Sequence, residues 1–405
     1  MLDTMLLVAG IASAIGWLHL LTRRGGFWRA DQRLPKAPAT LGHWPPVAVV
    51  IPARDEADGI GLAVNSLLAQ DYPGEFNVIV VDDGSTDGTA AVAERAAGGD
   101  RRLTVIAGSA LPSGWTGKLW AVHNGVREAL RRWPATEFLL LTDADIVHSA
   151  DNLRRLVGKA ETEDRDLVSL MVRLRCRDFW ERMLIPPFVF FFQKLYPFPW
   201  VNDPGRPEAA AAGGCLLVRT EALVAAGGVA AIRGRLIDDC ALAGRIKRRG
   251  SIWLGLGEDT VSLRAYPTLR ELWAMVARTA YTQLGHSPRN LLATVVGMIL
   301  LYTVPPVAVV TGLYSADLPR AVPGALAWGM MMLSFAPTGM LYGRALAGCA
   351  ALPLAAILYV AMTVDSARLY RLGRGGLWKG RHFDHRPQPE RQRELCGDLG
   401  SEPPW

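Results

Sequence analysis

The sequence predicts an α/β protein: a mostly parallel, Rossmann-like sheet flanked by helices on both faces, set between apolar segments suited to a membrane. Three observations carry this. Short apolar runs, the first of them largely β-branched, alternate with helical stretches between residues 47 and 172. Acidic clusters follow several of those runs, at the strand ends where an open parallel sheet binds its ligands. Apolar stretches of spanning length gather at the two ends of the chain rather than in its middle.

The elements follow in order. Residues 4–22 are almost wholly apolar, long enough to cross a bilayer as one helix, and are followed by Arg23, Arg24, Arg29 and Arg33. That positive flank places the domain after it in the cytoplasm. A cleaved signal peptide normally carries its charge before the apolar stretch, so an anchor is the better reading. The proline-rich stretch ending in Trp44-Pro45-Pro46 reads as a linker. Val47 to Ile51 then reads as a buried parallel strand, followed by a helix at 57–70, a strand at 76–81, a helix at 86–97, a strand at 102–107, a helix at 117–132, a strand at 137–142 and a further strand near 166–172. From Phe179 to Trp200, aromatics are interrupted by Pro186, Pro187, Pro197 and Pro199. The prolines argue against an ordinary spanning helix and leave two readings, an interfacial segment or a buried loop.

Apolar stretches near 291–313, 321–342 and 345–364 predict three further spans. An odd number would put the basic tail with Arg368, Arg371, Arg374, Lys379 and Arg381 outside, against the positive-inside tendency. Either one stretch is re-entrant or the tail departs from the rule. The expected organisation is an anchor at 1–24, a linker at 25–46, the α/β domain at 47–289, a membrane region at 290–366 and a basic tail at 367–405. The protein is expected in the inner (cytoplasmic) membrane, multi-pass, with its catalytic domain cytoplasmic.

Composition narrows the partners. The 405 residues carry a net charge of +6, but the basic groups are short, such as Lys247-Arg248-Arg249. Short basic groups in a chain with apolar ends favour an anionic membrane surface over nucleic acid. The five cysteines include no close pair, so neither a zinc set nor a disulfide framework is indicated.

The chemistry sits at strand ends. The first strand runs into Pro52-Ala53-Arg54-Asp55-Glu56 and the second into Asp82-Asp83-Gly84-Ser85. Carboxylates there can accept hydrogen bonds from the base and ribose of a nucleotide. The fourth strand runs into Asp143-Ala144-Asp145, whose alternate carboxylates face one side and suit a hard cation shared with diphosphate oxygens. Mn2+ or Mg2+ is the natural ion. Gly213-Gly214-Cys215 permits close approach of backbone to a sugar or acceptor, although a tight turn would use glycine equally well.

In their order, Pro52 to Glu56, Asp82 to Ser85, Asp143 to Asp145 and Ile237-Asp238-Asp239 resemble the motifs of family 2 glycosyltransferases with the GT-A fold. The resemblance covers roughly residues 45–290. Within that family, the chain looks most like the hopanoid-associated membrane glycosyltransferases, through its anchor, its Gly114-Trp115-Thr116-Gly117-Lys118 segment and its C-terminal spans. The resemblance implies a hexosyltransferase that moves one sugar from a nucleotide-sugar, a uridine diphosphate sugar first among them, to a membrane lipid. It implies that Pro52, Asp55, Glu56 and Asp83 surround the nucleotide, that Lys118 meets the base or the donor phosphates, that Asp143 meets the ribose or the metal's hydration shell, and that Asp145 holds the metal. Asp239 matches the catalytic base, with Asp238 beside it orienting the acceptor or tuning its neighbour, and Gly213 and Gly214 lie on the acceptor side. One base and in-line displacement imply inversion. The Gln-x-x-Arg-Trp element of processive members is missing, its nearest stretch being Arg278 to Gln283, which favours a single transfer. An inactive membrane scaffold and a nucleotidyltransferase are the rival readings.

Overall fold

The computed structural model describes residues 2–36, 39–373, 377–378 and 381–382; the expectation placed on the tail beyond Gly373 lies largely outside them. The α/β architecture is as expected. Strands β1 (Val47–Ala53), β2 (Phe76–Asp82), β3 (Leu103–Ala107) and β4 (Phe138–Thr142) alternate with helices α2 (Ala57–Leu68), α3 (Thr89–Ala97) and α4 (Gly117–Arg132). The sheet continues with β5 (Ile146–Val147), β6 (Leu167–Arg173), β7 (Cys215–Arg219) and β8 (Ile252–Ser262), with α5 (Asn152–Thr162) after β5 and α8 (Thr220–Ala225) after β7, in the strand order β3-β2-β1-β4-β7-β6-β8-β5. β1 runs parallel to β2 and β4, whereas β7 is antiparallel to both β4 and β6.

The apolar runs divide by period two. Ala48, Val50, Ile79, Val81, Leu139 and Leu141 pack on one face, Val47, Val49, Ile51, Val78, Val80 and Leu140 on the other. Both faces are covered, which is why these strands read as continuous apolar runs rather than alternating ones. Pairing of β1 with β4 ends at Val50 opposite Leu141, while β1 continues to Ala53. The strand order also reverses there, since β1 lies between β2 and β4. A crevice opens at such a point, outside the carboxyl ends of the strands.

The segment from Phe179 corrects the expectation of a broken element. It is a continuous helix, α6 (Phe179–Leu195), with Pro186 and Pro187 inside it, followed by the short α7 (Phe198–Asn202). Pro186 has no N–H to donate to the carbonyl of Arg182, and Arg344 donates to that carbonyl instead. The helix is therefore compensated from outside its own chain segment. Its start is fixed by a capping box between Asp178 and Glu181.

Among the described residues, four helical segments are long and apolar enough to cross a membrane: Asp3–Arg23 within α1 (Leu2–Arg23), Pro288–Tyr314, Leu318–Leu341 and Leu346–Arg371. The second comprises α11 (Pro288–Met298), a π-helical turn and α12 (Val304–Tyr314); the third is α13 (Leu318–Leu341). The last comprises a 3-10 stretch and α14 (Leu352–Arg371). Their contacts form a ladder. Asp3 meets Arg320 at 2.6 Å at one end, and Trp17 donates to the Leu301 carbonyl at 2.8 Å midway. Arg24 donates to the Leu195 carbonyl at 3.2 Å beside the α/β domain. The last segment departs from this ladder, because it touches the domain side at both ends. Just before its start, at the end of α13, the Tyr342 hydroxyl accepts from the Leu174 N–H at 3.2 Å. At its finish, Ser366 receives the Tyr281 N–H at 3.0 Å, and Tyr370 stacks on His286 with ring centroids 4.1 Å apart. Between them, Trp328, well inside α13, donates to the Ala350 carbonyl at 3.2 Å.

Candidate active site

The acids of β1, β4 and the Asp238-Asp239 pair share one open cavity of about 1370 Å³. Pro52 and Glu56 come from the end of β1, Asp143 and Asp145 from the turn after β4, and Asp238 and Asp239 from the first turn of α9 (Asp238–Lys247). Gly213 and Gly214, just before β7, complete that side. Pro52 lies beyond the last β1–β4 pair, at the point where the sheet opens.

Asp239 is held by backbone. Its carboxylate accepts from the Gly213 N–H at 2.9 Å and the Cys240 N–H at 2.7 Å. Burial, and then the charge of Asp238, push its pKa above the ordinary carboxylate range; the two N–H groups and Lys118 oppose that rise. A Cβ on Gly213 would stand 3.4 Å from both the Asp239 carboxylate and the Lys118 ammonium, so glycine lets the backbone approach the carboxylate.

Lys118 ties the two halves together. It lies 2.7 Å from Asp143 and 3.8 Å from Asp238. Burial alone would lower its pKa, but the facing carboxylates Asp143 and Asp238 outweigh it and raise the pKa, so the group is cationic. It sits in the first turn of α4, whose start is fixed by Thr116, the side chain of which accepts from the Leu119 N–H at 3.3 Å.

Asp145 and Glu56 share a cation that sequence reasoning missed. Arg264 donates to Glu56 at 2.6 Å and lies 3.9 Å from Asp145, which also accepts from the Ser262 hydroxyl at 2.6 Å. Arg264 follows β8, a strand the sequence reading did not include, and no spacing ties it to residues more than a hundred positions earlier.

The second cluster does not reach this cavity. Asp55 and Asp83 flank Arg54, at 4.0 and 3.9 Å, and neither lines the cavity wall. Asp55 adopts a left-handed φ of 50° and accepts from the Thr86 N–H at 2.9 Å, binding the β1 and β2 loops to each other. His148, given no role from sequence, is buried between Thr142 and Asn152, and burial pushes its pKa down to about 3. As a neutral ring it fixes Thr142, the residue before Asp143.

Among the described residues, no group of three or more His, Cys, Asp or Glu side chains is arranged to hold a metal alone. A magnesium-like ion takes only one or two carboxylates and completes its shell with water and substrate phosphate. The Asp143 and Asp145 pair fits that manner of binding.

Residues 48–224 match the model of the family described as Glycosyl transferase family 2. Over those residues the chain is similar to family 2 glycosyltransferases. Among curated relatives, it is similar to the 4,4'-diaponeurosporenoate glycosyltransferases of Staphylococcus aureus. It is 28% identical to that of strain MRSA252 over 198 residues, 48% of this chain and 50% of the relative. To that of bovine strain RF122 / ET3-1 it is 29% identical over the same length and shares. The chain thus spans about half the length of the curated relatives it matches. Among solved structures, it is similar in fold to the mannosyltransferase PcManGT of Pyrobaculum calidifontis, in complex with GDP-Man and Mn2+. The TM-score is 0.50 at 21% identity, covering 94% of this chain and all of that one. The similarity in fold therefore extends beyond the α/β domain, whose GT-A architecture is as expected, to the apolar helices at the two ends of the chain.

Proposed function

We propose that this domain moves one sugar from a nucleotide-sugar to a lipid acceptor, with inversion, at a membrane surface. The observation that carries it is one cavity joining an acidic donor end, Glu56, Asp143 and Asp145, to Asp239 and to an apolar wall that includes Phe188, Phe192 and Trp273. The acceptor hydroxyl gives its proton to Asp239 as its oxygen bonds to the anomeric carbon; the bond from that carbon to the diphosphate breaks, and the electron pair leaves with the nucleoside diphosphate. Lys118 and Arg264 place positive charge beside the departing group. A divalent ion on Asp145, with Asp143 near its shell, supplies neutralisation of the diphosphate. Asp55 and Asp83 support the donor loop from behind, and Gly213 and Gly214 shape the acceptor side. The Gly114 to Lys118 segment supports a place near the hopanoid-associated group, and the carotenoid named for the staphylococcal relatives supports a lipid acceptor.

The orientation reading follows from the contact ladder. Three helices cross, and the last segment enters and returns on the side of the catalytic domain. The positive flank at Arg23 and Arg24 then sets that side as cytoplasmic, and Gly373 leaves the membrane there too. This removes the odd parity of three C-terminal crossings.

The function is tested with purified protein in detergent, Mn2+ and a donor panel that includes uridine and guanosine diphosphate sugars, with and without lipid extract. Lipid-stimulated release of nucleoside diphosphate is expected. Pyrophosphate release would indicate a nucleotidyltransferase, and silence with every donor a scaffold.

A further inference from the structure

Acids and bases are equal in number on the cavity wall, but they are not all paired with one another, and Glu271 is engaged in the capping box at Thr268. Asp143 is matched by Lys118, and Glu56 and Asp145 by Arg264. Farther along the same wall stand Arg270 and Arg278, on α10 (Leu269–Gln283), with Ala274 between them at helical spacing. Neither arginine has an ion-pair partner within 4.0 Å among the described residues, and the small Ala274 leaves room between them. Arg368 joins them from the last turn of α14 and is matched, among the described residues, by Asp365, 2.7 Å away. Its helix is pinned to α10 where Trp273 donates to Asp365 at 2.8 Å and Ser366 donates to the Ala277 carbonyl at 2.5 Å. The arginines therefore stand on two docked helices, beside the apolar Phe188, Phe192 and Trp273.

We propose that Arg270, Arg278 and Arg368 form a subsite for the phosphate of an amphiphilic acceptor, whose chain lies along the apolar wall. This rests on the lipid-acceptor reading above and narrows it to phosphate-bearing lipids. Guanidinium forks match phosphate oxygens in pairs, and a phosphate monoester carries more negative charge than a carboxylate to set against three cations. A neutral alcohol would offer these exposed guanidinium groups no charge-assisted hydrogen bond in exchange for water.

Binding to the full-length protein in neutral detergent tests this, with hexadecyl phosphate and hexadecanol as probes of equal chain length. Hexadecyl phosphate is expected to bind roughly tenfold or more tightly than hexadecanol. The Arg270→Gln, Arg278→Gln double variant is expected to lose that preference, with the nucleotide-sugar dissociation constant unchanged, and the corresponding lysine variant to recover part of it. Equal binding of the two amphiphiles to the unaltered protein would overturn the proposal, whether or not the variants fold. So would a double variant that loses nucleotide-sugar affinity instead, since the guanidinium groups would then serve the donor diphosphate. Failure of the broader reading appears elsewhere, as absence of nucleoside diphosphate release.

Discussion

Asp239 draws its character from what surrounds it: two backbone N–H groups fix the carboxylate, while burial and Asp238 make its proton harder to lose. A base must be deprotonated to work, so transfer should fall as pH drops through a value above the ordinary carboxylate range. Asp238→Asn removes the like charge and should move that acidic limb down by up to about one unit. A pH profile of kcat/KM in both proteins checks this, and an unmoved limb would mean that Asp238 does not tune its neighbour. The acids were legible because each follows a strand or opens a helix, where ligand sites and caps concentrate. Arg264 was not, because it becomes their partner only when β8 brings it to the crevice. Nor could sequence separate Asp55, which braces a loop, from Glu56, which lines the cavity: adjacent carboxylates point apart once the backbone turns at Asp55.

At the scale of elements, the parallel half of the sheet was legible from apolar runs with helices between them. β7, β8 and β5 were not, because their pairing is antiparallel or distant and no local repeat announces it. α6 was concealed by its prolines; the carbonyl that Pro186 leaves without its helical donor is met by Arg344 from 162 positions away. Arg344→Ala should therefore cost about 0.5–1.5 kcal/mol of stability, read as a lowered melting temperature in detergent. Arg344→Lys should recover part of the loss. A melting temperature unchanged in the alanine variant would show that the Arg182 carbonyl finds another donor.

At the scale of the whole molecule, the crevice and the apolar helices are continuous, since α6, α10 and α14 belong to both, and this continuity is what the proposed acceptor path rests on. The sequence posed the parity of the last spans without resolving it, because length and hydropathy cannot distinguish crossing from returning; the contacts at Tyr342 and Ser366 support returning. A fluorescent protein that matures only in the cytoplasm, fused after Trp405 of the full chain, should fluoresce. A dark fusion and an active periplasmic reporter at the same position would contradict the re-entrant reading. The central claim is that Asp145 serves the donor and Asp239 the chemistry. Its most direct test measures metal-dependent nucleotide-sugar binding and transfer side by side in Asp145→Ala and Asp239→Asn. Asp145→Ala should lose binding, whereas Asp239→Asn should bind normally and transfer roughly 10²–10⁴-fold more slowly. Normal turnover in Asp239→Asn, or full metal-dependent binding in Asp145→Ala, would contradict it.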